Sequence, residues 1–349
     1  MSPGPLAVPA PGAPAVTPMA YARVIAAAFR RRGLDMSTTL RQAQITPTQL
    51  LQPAARISAA QMEGLSGAAM QALDDEALGA FGRRLPWGSY GMLARASLTS
   101  PTLGVALKRW CRHHGLLADD LRLSLAADGD SAALVVEESP AHRALPADAR
   151  EFSLVHILRN IHGLACWYVD SRIPLQEARF PFPAPAHADA FEHMFPGPRA
   201  FGAAQAGLRF DARYLALPVS RDEPALRQML QRALPLTVRQ YRRDRLLVQQ
   251  VRQALATQPE ASHSAEGVAA LLHLSPRTLH RQLREEGASL QALKDEVRSA
   301  RARELLHRTA RPVKQVAAAV GFRNEKSFIR AFRGWTGQSP AAYRSAANA

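Results

Sequence analysis

The chain has 349 residues, 47% of them apolar and 21% charged, and its 44 Lys and Arg outweigh 29 Asp and Glu to give a formal net charge of +15. This composition fills packed cores and excludes a disordered chain, and the length fits two domains of roughly 100–200 residues each. No charge-free apolar run reaches the ~18 residues that a transmembrane helix needs, so no membrane partner is expected.

Residues 1–18 hold no Lys or Arg, and Pro3, Pro5, Pro9, Pro11, Pro14 and Pro18 oppose the apolar helix of a signal peptide. An unstructured Pro/Ala tail is expected there. Tyr21 to Phe29 is apolar at helical spacing, and Gly33 ends that helix. Thr46-Pro47 and Ser58 read as helix starts. At Leu121, Leu123 and Leu125 the spacing changes to alternation; Asp128-Gly129-Asp130 offers a turn and Ala133 to Val136 a return strand, so 121–137 predicts a β-hairpin. Leu154, Ile157, Ile161, Leu164 and Tyr168 form the stripe of another helix. The stretch 179–198, rich in Pro and aromatics, predicts loop with short strands. Leu208 to Phe210 and Tyr214 to Leu217 predict two more strands. The first domain, 19–235, is therefore expected to be α+β. A connecting helix is expected over 236–258, bearing Arg239, Arg242, Arg243 and Arg245.

Cys111 and Cys166 are far apart and form no CxxC pair, which fits a reducing compartment, the cytoplasm of a bacterium. His162 and Cys166 stand four apart, a workable metal-ligand spacing, but no further ligand joins them locally, so no metal and no cofactor are expected. Arg159 and His162 share a helical stripe and are candidate polar anchors of a pocket for a small-molecule effector.

From 239 to 349 there are 20 Lys and Arg against 9 Asp and Glu, so most of the positive charge lies in the last third, an attraction for a polyanion. There Ser264 caps a short helix with apolar Val268, Leu271 and Leu272. Ser275-Pro276 starts a second, which stops at Gly287. Leu279 and Leu283 face inward, leaving Arg277, His280, Arg281 and Arg284 as a cationic outer face suited to a major groove. A longer helix, 289–307, puts Leu290, Leu293, Val297 and Leu305 on its inner face. The pattern then recurs. Val316 to Phe322 echoes Val268 to Leu274 at an offset of 48, Asn324 replaces the Ser275 cap, and Phe328, Arg330 and Phe332 echo Leu279, Arg281 and Leu283 at 49. An all-α domain with two helix-turn-helix units joined by a long linker helix is expected over 259–349. Such a linker would hold two recognition helices in successive major grooves, about 34 Å apart.

The stretch 264–344 resembles the DNA-binding domain of the AraC/XylS family of bacterial transcriptional regulators. The second unit carries most of the likeness, in Gly321-Phe322, Ser327-Phe328, Arg330-Ala331-Phe332-Arg333, Trp335-Thr336-Gly337, Ser339-Pro340 and Tyr343-Arg344. Leu85 to Gly91, Ser100 to Leu107, Phe201-Gly202, Leu208 to Asp211 and Leu215 to Pro218 are similar to the so-called arabinose-binding-type regulatory domain of one subgroup; no sugar is inferred from that label. The resemblance implies a sequence-specific transcription regulator, a homodimer, with double-stranded DNA as partner, a small-molecule effector on the first domain, and RNA polymerase as a further partner of an activator. It implies that Arg277, Thr278, His280, Arg281 and Arg284 in the first unit, and Glu325, Lys326, Ser327 and Arg330 in the second, reach bases or phosphates. Glu325 departs from the expected Gln or Ser; it can accept from cytosine N4 or cap its helix. The competing reading of these side chains is a solvated charged face, with Arg281 and Arg330 in ion pairs or against the linker helix. Leu279, Leu283, Phe322, Phe328, Phe332 and Trp335 are expected in the core, and Gly321 and Gly337 at turns.

Two other functions stay in view. A nonspecific architectural DNA binder would use the charge alone and show a specificity ratio near one. An enzyme fused to such a domain, as in methyl-transfer repair proteins, needs a metal-activated cysteine cluster that two isolated cysteines do not make. GxSxG, HExxH and phosphate-loop motifs are absent, so no catalytic residue is expected.

Overall fold

The N-terminal prolines do not keep the whole leader out of the fold. In the computed structural model, which describes residues 15–231, 244–262 and 264–347, strand β1 (Ala15–Pro18) pairs antiparallel with β2 (Arg56–Ser58). Thr17 and Pro18 are buried, and Met19 N–H donates to Ala55 O at 3.0 Å. The expected tail is thus corrected at 15–18: Pro18 sits at the strand's end and precedes a helix, where a missing N–H costs little. Residues 1–14 lie outside the described residues. The chain divides into two compact units, 1–244 and 245–349.

In the first unit α1 (Met19–Arg31) buries Tyr21, Ala22, Val24, Ile25, Ala28 and Phe29, the apolar face read from the sequence. Short helices α2 (Ser37–Gln42) and α3 (Pro47–Leu51) lead to α4 (Ala59–Leu73). Thr46 and Ser58 cap α3 and α4 in reciprocal boxes with Gln49 and Gln61, satisfying N–H groups that a helix start leaves open. Helices α5 (Ser89–Leu98) and α6 (Leu103–Leu117) follow. The hairpin forms as β3 (Leu121–Asp128) and β4 (Ser131–Glu138), with Leu123 opposite Val136 and Gly129 at φ +55 in the turn. Then come α7 (Pro140–Arg143), α8 (Ala147–Tyr168), β5 (Leu175–Phe180), α9 (Ala190–Met194), β6 (Arg199–Phe201), β7 (Ala206–Asp211) and α10 (Glu223–Leu230). The sheet has the order β3-β4-β7-β5-β6, antiparallel except between β5 and β6, which makes the unit α+β. Phe180, Phe191, Phe195 and Phe201 pack ring on ring where short strands and loop were expected.

The strand expected at Tyr214 to Leu217 is a 3-10 helix, Ala212–Ala216. Asp211 starts it by accepting from Arg213 N–H at 2.8 Å, and the buried Tyr214 donates its hydroxyl to Asp244 at 2.6 Å. An apolar run this short does not distinguish a strand from a tight turn around one buried ring.

The second unit is all helical where described: α11 (Leu246–Thr257), α12 (Ala265–Leu271), α13 (Pro276–Glu285), α14 (Leu290–Arg308), α15 (Val313–Ala319), α16 (Glu325–Thr336) and α17 (Pro340–Ala347). It has two cores. Val251, Val268, Leu279, Leu283, Leu290 and Leu293 make the first; Ala302, Leu306, Val316, Phe328 and Phe332 make the second. The long helix α14 gives residues to both, so one rigid rod carries two helix-turn-helix units. Of the connecting helix expected at 236–258, residues 236–243 lie outside the described residues. Its described part, α11, buries Leu247, Val248 and Val251 in the first of these cores, and Glu286 accepts from Leu247 and Val248 N–H at 3.1 and 2.8 Å.

Candidate nucleic-acid interface and interior cavity

Each helix-turn-helix is built from a capped start and a buried pair of apolar residues. Ser275 accepts from Thr278 N–H at 3.1 Å to begin α13, and Asn324 accepts from Ser327 N–H at 2.8 Å to begin α16. Leu279 and Leu283 in α13, like Phe328 and Phe332 in α16, have no exposed surface. Burying that stripe turns the opposite face outward. The turn before α13 covers 272–275 and that before α16 covers 320–324, one residue longer in the second unit as the offsets imply.

On the outward face of α13, Arg277, His280, Arg281 and Arg284 are exposed, and Thr278 is half-buried with its hydroxyl 2.8 Å from that of Ser275. Arg281 pairs with Glu285 at 3.1 Å, the ion pair weighed as its alternative role; both side chains are solvated, so the pair is weak and yields readily to a phosphate. In α16, Lys326 and Arg330 are exposed, while Glu325 and Ser327 are half-buried in the first turn. Among the described residues no carboxylate lies within ion-pair distance of Arg277, Arg284, Lys326 or Arg330. Phe322 and Trp335 are only partly buried and pack against the second core. The Arg298 guanidinium of α14 lies 5.4 Å from the Phe322 ring, tying the linker helix to the second turn.

In the first unit Arg159 lines a cavity of about 70 Å³ with Tyr21, Met62, Phe152, Val155 and His156. Its guanidinium donates to Met194 O, and burial lowers its pKa to about 10. Tyr21 donates to Glu151 at 3.0 Å, and His187 Nε2 lies 2.7 Å from the same oxygen. His162 does not join Arg159 at this cavity. Its Nε2 lies 2.9 Å from Ile173 O and 3.8 Å from Cys166 Sγ, and burial lowers its pKa to about 4. The histidines at the cavity are His156 and His193; His156 stands three residues before Arg159 and thus on the same helix face, a spacing that signals it in the sequence.

Residues 33–219 match the family described as the arabinose-binding domain of AraC transcription regulator, N-terminal, and residues 268–346 match a helix-turn-helix domain family. The chain is similar to the ornithine utilization regulator of Pseudomonas aeruginosa, with 30% identity over 335 residues, 95% of this chain and 97% of that protein. It is 26% identical over 335 residues to an uncharacterized HTH-type transcriptional regulator of Mycobacterium bovis, covering 93% of this chain and 95% of that one. Among solved structures, the transcriptional regulator CdpR from Pseudomonas aeruginosa aligns over 89% of this chain and 96% of its own, at 23% identity and a TM-score of 0.33.

Proposed function

Because the chain belongs to the AraC/XylS family of transcriptional regulators, in the subgroup with an arabinose-binding-type N-terminal domain, we propose that it reads a specific DNA sequence through α13 and α16 and that a small molecule in its first unit controls that binding. The observation that carries the reading is the repeat itself: two capped helices, each with a buried apolar pair and unpaired cations on the outer face, joined by one helix that belongs to both cores. A nonspecific binder needs no such duplication of groove-sized helices. In this reading Arg277, Thr278, His280, Arg281 and Arg284 serve one groove, and Glu325, Lys326, Ser327 and Arg330 the next.

The effector site is assigned to the cavity at Arg159. The Pseudomonas relative carries ornithine utilization in its name, so amino acids head the effectors to screen. The protein is read as a regulator and not as an enzyme of the methyl-transfer kind, since burial pushes both the Cys111 and the Cys166 thiol up to about 12, far from a reactive thiolate. No described helix is long and apolar enough to cross a membrane. A cytoplasmic homodimer that touches RNA polymerase is part of the proposal.

The test is protection of DNA upstream of the gene and its neighbours, at physiological salt, against excess nonspecific competitor. A protected site of about two helical turns is expected. Arg277→Ala and Lys326→Ala should each cost about 1–3 kcal/mol of binding where they meet base edges, and the double variant should lose the footprint while still folding. Arg281→Ala should cost less than Arg277→Ala, because Arg281 must first leave Glu285. Equal affinity for every fragment would return the protein to the architectural class.

A further inference from the structure

A second cavity of the first unit, of about 30 Å³, lies between α5, α6, α8 and the segment 76–85. Glu76, Trp110, His114 and Asn160 line it, and Phe81 and Leu93 add apolar wall. Trp110 and His114 are each 1% exposed, and their rings stack with centroids 5.2 Å apart. Yet Trp110 Nε1, both ring nitrogens of His114 and Asn160 Oδ1 have no hydrogen-bond partner. Buried donors and acceptors left open cost stability, so a folded protein keeps such a group where water or a ligand completes it. Burial lowers the His114 pKa to about 4, so near neutral pH one ring nitrogen donates and the other accepts. The open atoms are thus two donors, on Trp110 and His114, and two acceptors, on His114 and Asn160.

The lining also carries a charge with no counter-charge. Glu76 accepts from the N–H groups of Gly88 at 2.7 Å and Tyr90 at 2.6 Å, one to each carboxylate oxygen, which fixes the group and leaves lone pairs open. Among the described residues no cation lies within ion-pair distance of it. Burial raises its pKa against the pull of those two N–H bonds, and Asp75 and Asp74 raise it further. The basic side chains of the lining, His114 and His156, are neutral near pH 7, since burial lowers both to about 4. Glu76 is therefore the one charge on the described lining. Water completes open hydrogen bonds but brings nothing to balance that charge. A ligand that satisfies the whole lining carries a cation for Glu76 and an oxygen that accepts from Trp110. The volume is two to three times the ~10–15 Å³ that one water needs, room for a ligand of about four bonded non-hydrogen atoms.

We propose that this cavity is a binding site for a short amino alcohol, separate from the effector site assigned at Arg159. The ammonium donates to Glu76 and to Asn160 Oδ1. The hydroxyl accepts from Trp110 Nε1 and bonds the His114 ring, and the apolar wall takes the carbons between. A diol of the same length leaves the Glu76 charge unmatched, and an alkylamine leaves the Trp110 N–H open. The inference does not depend on the assignment at Arg159.

The experiment titrates the isotope-labelled full-length protein with ethanolamine and follows the Trp110 indole N–H resonance, assigned by its loss in Trp110→Phe. The titration runs to about 10 mM, because so few atoms limit affinity. Two probes of the same chain length are compared with it: propylamine, with methyl in place of the hydroxyl, and ethylene glycol, with hydroxyl in place of the ammonium. Ethanolamine should move the Trp110 resonance saturably and bind roughly tenfold or more tighter than either. By calorimetry, Glu76→Gln should abolish the preference over ethylene glycol, and Trp110→Phe the preference over propylamine. The order of the three ligands is read on the unaltered protein first, so a variant that fails to fold does not remove the test. Ethylene glycol binding as tightly as ethanolamine overturns the role of Glu76, and propylamine doing so overturns that of Trp110; either result removes the amino alcohol. A Trp110 resonance that none of the three moves overturns the inference and leaves the cavity to water.

Discussion

His273 and Gly321 hold the same place in the two helix-turn-helix turns, at φ +55 and +81. Both turns need the left-handed region, which glycine enters without strain and a residue with a Cβ does not. The first helix-turn-helix therefore carries a strained residue that the second one avoids. His273→Gly should stabilise the second unit by about 0.5–1 kcal/mol, the relief being partly offset by the greater freedom of glycine in the unfolded chain. A rise in that unit's Tm checks this, and an unchanged or lower Tm would contradict it. Histidines also set a pH response in the first unit. Burial lowers His114 and His156 to about 4, the Arg159 charge adding to the effect at His156. Unfolded histidines take up protons near pH 6.5, so between 6.5 and 4 the unfolded chain binds protons that the folded one refuses. Stability present above 6.5 is thus lost as pH falls through this window. Melts at pH 7 and pH 5 should show the first unit's transition dropping, and the drop should shrink in His114→Phe; an equal drop in that variant would remove His114 from the account.

At the scale of elements, the two cores of the second unit are separate groups of side chains strung on α14. Phe332→Ala removes a fully buried ring from the second core, a change worth about 3–5 kcal/mol. Hydrogen exchange should then show α15 to α17 losing protection while α12 and α13 keep theirs; uniform loss would mean that the unit melts as one. These elements were legible because each carries its own local signal: a Ser or Asn cap, an apolar pair four residues apart, and a spacing that repeats. The hairpin was legible through the alternation of Leu121 and Leu123 with Arg122 and Ser124. Tyr214 was misread because its buried hydroxyl is held by Asp244, thirty residues away, a tertiary contact that no local pattern records. For the same reason the cavities were only half legible. Arg159 stood out as a cation on an apolar helix, but Trp110 and His114 on α6 meet Asn160 on α8 only after folding, and His162, on the Arg159 stripe, turns to Ile173 O instead.

For the whole molecule, the division at 244–245 separates a unit assigned to ligand sensing from one assigned to DNA. A segment spanning 245–349 has its own two cores and should bind the operator while losing any response to effector. Its affinity should fall steeply with salt, since the contacts proposed for α13 and α16 include several phosphates. Shared membership of α14 in both cores makes the stronger claim, that two recognition helices are held at a fixed separation and read one face of the duplex. The most direct test is to insert about 5 base pairs, half a helical turn, between the two protected major-groove segments of the operator, and to compare this with an insertion of about 10. Affinity is predicted to collapse toward the nonspecific level with the half-turn insertion, because α14 cannot rotate one helix to the far side of the DNA. Undiminished binding to the half-turn operator would contradict the tandem reading and leave a single helix as the reader.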